Sequence, residues 1–426
     1  MRVALFLVLL TTLSPVFSCT LFKVTGDGRT IVGNNEDAWS INAQIRFENG
    51  NEGEFGAVYF GHFNGHQFSS MADQGGMNTA GLMYDGLMVE PKQVPPAAGK
   101  PSTDYEHLMH LVMRTCADVE QARRLIATYN LSWLYHSMIV LVDSSGAFLV
   151  VESDSLYIVN DPSYAVGNFR PSACADLDAV PIARYQKGRA LITSGGDGSL
   201  AYCTTVIDSM RACRDFLGNG TLYTDILELD KGIIHLYFYH DFTHQRTFNL
   251  KAELAKGDHA FEMASLFPPN AEYGKLLAYK TPFHNHGIFY TLMALAGLMV
   301  LTGLWSAFLF LRAAFRRTRG SFGAKNLWRP FAMALSSAIA VFLIAVLLIN
   351  ESVYYFGLGD ALDATHPALK FLPLVFLTLI GTLLIFPLKR ANVLRPLRSG
   401  DRIVSAYAVL GVALVAAFGY WGLLVP

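Results

Sequence analysis

Four uncharged apolar runs near the C-terminal end, at 288–311, 330–349, 371–388 and 403–424, constrain this chain more than any other feature. Each has roughly the 17–25 residues that cross a bilayer as a helix. Backbone polar groups in lipid must be satisfied within the segment, so helices are the expected form. The region from 288 onward supplies most of the apolar excess in a composition that is 52% hydrophobic and 16% charged, where a soluble globular chain carries about 25% charged residues. Disorder, coiled coil, collagen and a cytosolic enzyme are poor readings of such a chain. With 33 basic against 34 acidic residues, no positive field points to nucleic acid.

Charge between the runs sets an expected orientation. The segment 312–329 holds Arg312, Arg316, Arg317, Arg319, Lys325 and Arg329 and no acid. The segment 389–402 holds Lys389, Arg390, Arg395, Arg398 and Arg402 against Asp401 alone. Between them, 350–370 carries Glu351, Asp360 and Asp363 with one Lys370. Basic loops stay in the cytoplasm, so the N-terminal region and the C-terminus are expected outside. Residues 1–18 give the same answer. They read as a secretory signal peptide, with Arg2, a short apolar core, and Val16 and Ser18 as small residues before Cys19.

The four runs contain no Asp, Glu, Lys, Arg or His. Transporters and proton relays place ionisable groups at membrane depth, so an anchoring or docking bundle fits better than transport. The expected layout is a signal peptide at 1–18, an extracytoplasmic domain at 19–265, a juxtamembrane linker at 266–287 and a four-helix membrane domain at 288–426.

Chemistry is therefore sought in 19–265, beginning with its first residue. Cleavage after Ser18 would leave Cys19 with a free α-amine beside its own thiol. A thiolate is the competent nucleophile, and an α-amine with a reference pKa of about 7.7–8.0 is a suitable base near neutral pH. A buried or disulfide-bonded cysteine, or a lipid-modified one, are the competing readings. Residues 19–24 alternate as a strand and end in the turn Gly26-Asp27-Gly28. Thr30-Ile31-Val32-Gly33 would return antiparallel and bring Asn34-Asn35-Glu36-Asp37 close to Cys19.

This opening, CTLFKVTGDGRTIVGNNEDAW, resembles the choloylglycine hydrolase group of N-terminal nucleophile (Ntn) hydrolases. The group includes penicillin V acylases, bile-salt hydrolases, acid-ceramidase-like enzymes and linear-amide C–N hydrolases. The resemblance spans 19–265 and stops before the apolar runs. Further segments match it in order: Gly75 to Leu82 around Asn78, the hairpin-like 139–152, Ala165-Val166-Gly167-Asn168-Phe169, Ala183-Arg184-Tyr185, and the closing strands near 232–250. It implies an α+β fold, the Ntn αββα sandwich of two antiparallel sheets flanked by helices. It also implies roles at single positions. Cys19 is the nucleophile, Asp37 accepts from its amine or thiol, Asn168 donates to the oxyanion, and Arg184 supplies fixed positive charge. Asn78 and Tyr84 are weaker candidates for the substrate site, as scaffold and pocket wall. One departure stands out, because Asn34 occupies a position where bile-salt and penicillin V enzymes carry Arg. That places the likeness nearer the linear-amide subgroup and leaves thiolate stabilisation more dependent on Arg184.

The expected reaction is hydrolysis of a linear, non-peptidic carboxamide through an acyl-enzyme on Cys19, with no metal or organic cofactor required. The expected partners are a small N-acyl amide, lipid-like given the membrane region, and the bilayer itself. An acyltransferase or dipeptidase on the same fold, and a non-catalytic membrane sensor, remain alternatives. His107 and His110 share a helix face, yet further metal ligands cannot be placed. Cys116, Cys174, Cys203 and Cys213 permit two disulfides in any of three pairings, or none.

Overall fold

The computed structural model describes residues 19–38, 42–63, 71–196, 198–212, 220–318, 327–351, 353–354, 358, 369, 371–390 and 399–424. The 1–18 segment, Trp39 and Cys213 lie outside the described residues. Two compact units divide the chain, one ending at Tyr279 and the other resuming at Lys280. The first unit includes a helix, Ala271–Ala278, in the segment read from sequence as a linker.

Among the described residues of the first unit there are fourteen strands. They are β1 (Thr20–Gly26), β2 (Arg29–Ala38), β3 (Ala43–Glu48), β4 (Ala57–Phe63), β5 (Met71–Asn78), β6 (Met83–Met88) and β7 (Ser137–Val142), followed by β8 (Phe148–Val151), β9 (Leu156–Val159), β10 (Ser163–Val166), β11 (Gly220–Glu228), β12 (Ile233–Phe238), β13 (Asp241–Asn249) and β14 (His259–Glu262). A six-stranded sheet runs β10-β1-β2-β11-β12-β13 and an eight-stranded sheet runs β14-β3-β4-β5-β6-β7-β8-β9. All their pairings are antiparallel.

The helices of this unit are α1 (Tyr105–Thr115), α2 (Val119–Ile126), α3 (Ala183–Ser194), α4 (Leu200–Ser209), α5 (Leu250–Leu254) and α6 (Ala271–Ala278). Asp104 caps α1 by accepting from the His107 N–H at 2.8 Å, and Asp118 caps α2 through Gln121 N–H. Leu108, Met109 and Val112 of α1 and Val119, Ala122 and Ile126 of α2 pack on Tyr59, Tyr84, Ile139, Leu141 and Leu149 of the larger sheet. On the smaller sheet, Phe22, Ile31, Ala165, Ile226 and Tyr237 meet Tyr185 and Ile192 of α3 and Cys203, Val206 and Ile207 of α4. Each fully buried aliphatic or aromatic side chain contributes about 1.5–3 kcal/mol.

Successive side chains of a strand point to opposite faces, so the intervening residues of both sheets face each other. Phe60 stacks on Tyr223 across this space, with ring centroids 6.2 Å apart. Lys23 is 1% exposed, and its ammonium donates to the Gly146 carbonyl in the β7–β8 turn at 2.6 Å. Burial lowers its pKa, while Asp161 and Asp143 oppose that shift. The result is the expected α+β arrangement, an αββα sandwich with helices outside each of two antiparallel sheets.

The second unit contains α7 (His286–Thr318), α8 (Trp328–Ile349), α9 (Leu372–Arg390) and α10 (Ser399–Tyr420). Three of its helices are long and apolar enough to cross a membrane: His286–Phe315, Trp328–Ile349 and Arg402–Tyr420. The fourth is apolar over the shorter stretch Leu372–Ile385, so the expected four spans are three by this measure, plus one short helix. Within the unit the Tyr407 hydroxyl lies 2.8 Å from both Ser336 and Ser337 hydroxyls. Such small polar side chains hold apolar helices together where lipid offers no competing partner.

Candidate active site

The β1–β2 hairpin places the nucleophile candidate. Thr20 pairs with Asn35 in its register, so the preceding Cys19 falls opposite Glu36, on the face turned toward the other sheet. Thr20 and Asn35 point the other way and tie the hairpin to the end of α4. The Thr20 hydroxyl donates to the Met210 carbonyl at 3.2 Å, and the Asn35 amide donates to the Ile207 carbonyl at 3.0 Å. Asn35 in turn accepts from the Thr224 hydroxyl at 2.6 Å. These neighbours fix where Cys19 begins its strand.

The Cys19 thiol donates to Glu36 Oε2 at 3.3 Å. The Asp37 carboxylate takes different partners. It accepts from the Thr221 hydroxyl at 2.5 Å and from the Arg184 guanidinium. Asp37 reaches Cys19 through its backbone, in a bond that favours the thiolate. Arg184, near the start of α3, therefore commits charge to Asp37, whose side chain is 1% exposed. Asn168 follows β10, which pairs with β1 from Leu21↔Val166 onward. Continuing that register brings 167 and 168 alongside Thr20 and Cys19. A Cβ on Gly167 would lie 3.8 Å from the Cys19 carbonyl oxygen. Asn168 Oδ1 is buried and has no partner among the described residues.

The remaining candidates lie apart from the thiol. Asn78 donates to the Met113 and Cys116 carbonyls and accepts from the Ala80 and Leu82 N–H groups. Its hydrogen-bonding capacity is spent on clamping α1 to the β5–β6 turn, a scaffold task. Tyr84 is fully buried in the core between the larger sheet and α1. Its neighbour Asp85 lies on the opposite face of β6, with Met83 and Leu87, toward the inter-sheet space. Among the described residues Cys19, Cys116 and Cys174 carry free thiols. Asp73, Glu106 and His110 could offer metal donors within 4.8 Å of one another. Asp73 Oδ2 already accepts from Arg46 at 2.9 Å and lies 2.8 Å from His110. That is an ion-pair network, and His107 does not join it.

The electrostatics around Cys19 oppose its ionisation. Burial pushes the thiol well above its ordinary value, and the carboxyls of Glu36, Asp37 and Asp85 push it further. Burial also raises Asp37, against the downward pull of Arg184 and Thr221. Glu36 and Asp225 are raised by burial too, Asp225 to about 7. Sequence reasoning brought Asn35 and Glu36 close to Cys19 without giving them a role, and passed over Thr20, Asp85 and Asp225. The period of two along β2 does carry the signal for Glu36, since it puts Glu36 rather than Asp37 on the face shared with Cys19.

No family model matches the chain, and no curated protein matches it. Solved structures similar to it include variants of conjugated bile acid hydrolase from Clostridium perfringens and penicillin V acylase from Agrobacterium tumefaciens. The bile acid hydrolase structures are 15% identical, with TM-scores of 0.44 and 0.45, covering 59% of this chain and 97% of theirs. The acylase is 11% identical with a TM-score of 0.41, covering 58% of this chain and 86% of its own.

Proposed function

We propose that this chain is a membrane-held, extracytoplasmic cysteine Ntn hydrolase that cleaves linear carboxamide C–N bonds of N-acyl compounds. The observation that carries this reading is the position of Cys19: it opens a central strand between two sheets, beside Glu36 and the buried Asp37–Arg184 pair. Removal of residues 1–18 would free its α-amine. On taking the thiol proton that amine would become an ammonium beside the thiolate and offset the surrounding carboxyls.

In the reaction the thiol passes its proton to the α-amine as sulfur attacks the carbonyl carbon. The oxyanion is held by the Asn168 side-chain amide with a backbone N–H. The C–N bond then breaks, the amine leaves with the proton, and a thioester remains on Cys19. Water attacks the thioester, its proton goes back through the α-amine, and the carboxylic acid departs with the thiol restored. Asp37, fixed by Thr221 and Arg184, positions the start of β1 rather than taking the thiol proton.

The apolar helices support a membrane location, and the basic segments around 312–329 and 389–402 support an outward-facing catalytic unit. A fatty acyl chain suits an enzyme held at such a surface. N-terminal sequencing of the purified protein is expected to begin at Cys19. Cys19→Ser is expected to lose about a hundredfold or more in amide hydrolysis, because an alcohol ionises far less readily than a thiol. A retained leader, or a serine variant at the wild-type rate, would overturn the mechanism.

A further inference from the structure

Three acidic side chains that the proposed chemistry does not use meet between the sheets. Glu36 of β2, Asp225 of β11 and Asp85 of β6 are each at most 2% exposed. Among the described residues no lysine or arginine pairs with any of them. The basic group beside them is His62 of β4, whose Nδ1 lies 3.9 Å from Glu36 Oε1. Asn34, a neutral side chain, donates to Asp225 Oδ2 at 3.3 Å.

Several polar atoms on this wall have no hydrogen-bond partner among the described residues: Asp85 Oδ2, Asn34 Oδ1 and the Tyr223 hydroxyl. Tyr223 lies opposite Glu36 in the β2–β11 register. After burial, the groups that act on its hydroxyl are Glu36, Asp225 and Asp85, so it faces the same space. Each buried polar group left unpaired costs about 1–3 kcal/mol. Two of the three orphaned atoms are acceptors, and the phenol oxygen can accept as well. A ligand rich in N–H donors and carrying positive charge would satisfy all of them. A single metal ion fits less well. Among the described residues, the one set of three or more such donors within 4.8 Å is the Asp73 group, not this one.

We infer that the acidic wall beside Cys19 is a subsite for an organic cation, and that the preferred substrates carry an ammonium or guanidinium group within a few bonds of the scissile carbonyl. This inference rests on the hydrolase reading above and names its substrate class. The raised carboxyls fit it. Without a cation nearby, burial and mutual repulsion raise Glu36 and Asp85 and favour their protonated forms. A cation entering the wall favours the ionised forms and expels those protons.

The first arm measures kcat/KM on the full-length mature enzyme in detergent. It uses matched amides that differ only in an ammonium or its neutral isostere, on the acyl side in one pair and the amine side in another. One pair is expected to show at least tenfold preference for the cation, and Asp225→Asn or Asp85→Asn is expected to shrink that ratio severalfold. The second arm needs no turnover. Calorimetry of full-length Cys19→Ala with an N-acyl diamine and its uncharged analogue is expected to show tighter binding of the diamine. Proton release, seen as a buffer-dependent enthalpy, should accompany the diamine alone. Equal affinities without proton release would overturn the cation subsite, whatever the enzyme hydrolyses. Cation binding without hydrolysis of any amide would instead sink the hydrolase reading and leave the subsite standing.

Discussion

A thiol surrounded by carboxyl groups is poorly placed to ionise, and the pairing of Asp37 with Arg184 limits the damage. Asp37 is raised by burial, and Arg184 is the largest influence pulling it back toward the carboxylate. With the guanidinium in place, the Asp37–Arg184 pair adds little net charge beside Cys19. Replacing Arg184 by Met would leave a 1%-exposed carboxylate without its cation. Breaking a buried pair in this one-sided way costs about 3–5 kcal/mol. Arg184→Met is therefore expected to lower Tm by many degrees, while Arg184→Met combined with Asp37→Asn recovers much of the loss. Equal Tm for the single and double variants would show that the pair carries no such weight. Thermal unfolding followed by near-UV circular dichroism reads this directly. Activity should stay low in both variants, because neither positions Cys19 as the wild type does.

At the level of elements, the β1–β2 hairpin carries most of the site. Its tight packing is visible at Gly33, where a Cβ would approach within 2.4 Å of the Phe22 ring. Phe22 is fully buried against the helix layer, so the ring has little room to retreat. Gly33→Ala is expected to cost about 1–3 kcal/mol by overpacking and to lower activity through a displaced hairpin. A chemical-denaturation midpoint unchanged from wild type would contradict this. The hairpin was legible in the sequence because its determinants are local: alternation in Thr20–Gly26, the Gly26-Asp27-Gly28 turn and a returning apolar run. The long apolar helices of the second unit were legible for a similar reason, as uncharged length alone marks them. What surrounds Cys19 was not, because it is assembled over long separations. Thr221 reaches Asp37 from 184 positions away and Asp225 reaches Asn34 from 191. Asp85 arrives from the opposite sheet. Local patterning holds no trace of which distant strand lies alongside β2, so Arg184 and Asn168 rested on resemblance and the acidic wall went unnoticed.

Across the first unit as a whole, the buried carboxyls tie folding to pH. Asp225 keeps its proton up to about 7 in the folded chain, whereas an unfolded Asp releases it near 3.9. Folded protein therefore binds more protons than unfolded protein between those values. The stabilisation from this group is fully present below about pH 4 and is lost as pH rises through about 7. Glu36 and Asp85 are shifted in the same direction by burial and by neighbouring acids. Other groups titrate over the same range, so the informative quantity is a difference between two proteins. Asp225→Asn removes the ionisation but keeps a side chain that can still accept from the Asn34 amide. Its Tm is expected to exceed that of the wild type at pH 8.5, by several degrees for a gain of one or two kcal/mol. The gap should narrow as pH falls below about 7 and close near pH 4, where wild-type Asp225 is neutral in both the folded and unfolded states. A gap independent of pH, or a variant less stable than wild type at pH 8.5, would mean that Asp225 is already ionised and compensated. In the latter case the acidic wall would have a cation of its own, and no substrate charge would be needed to balance it.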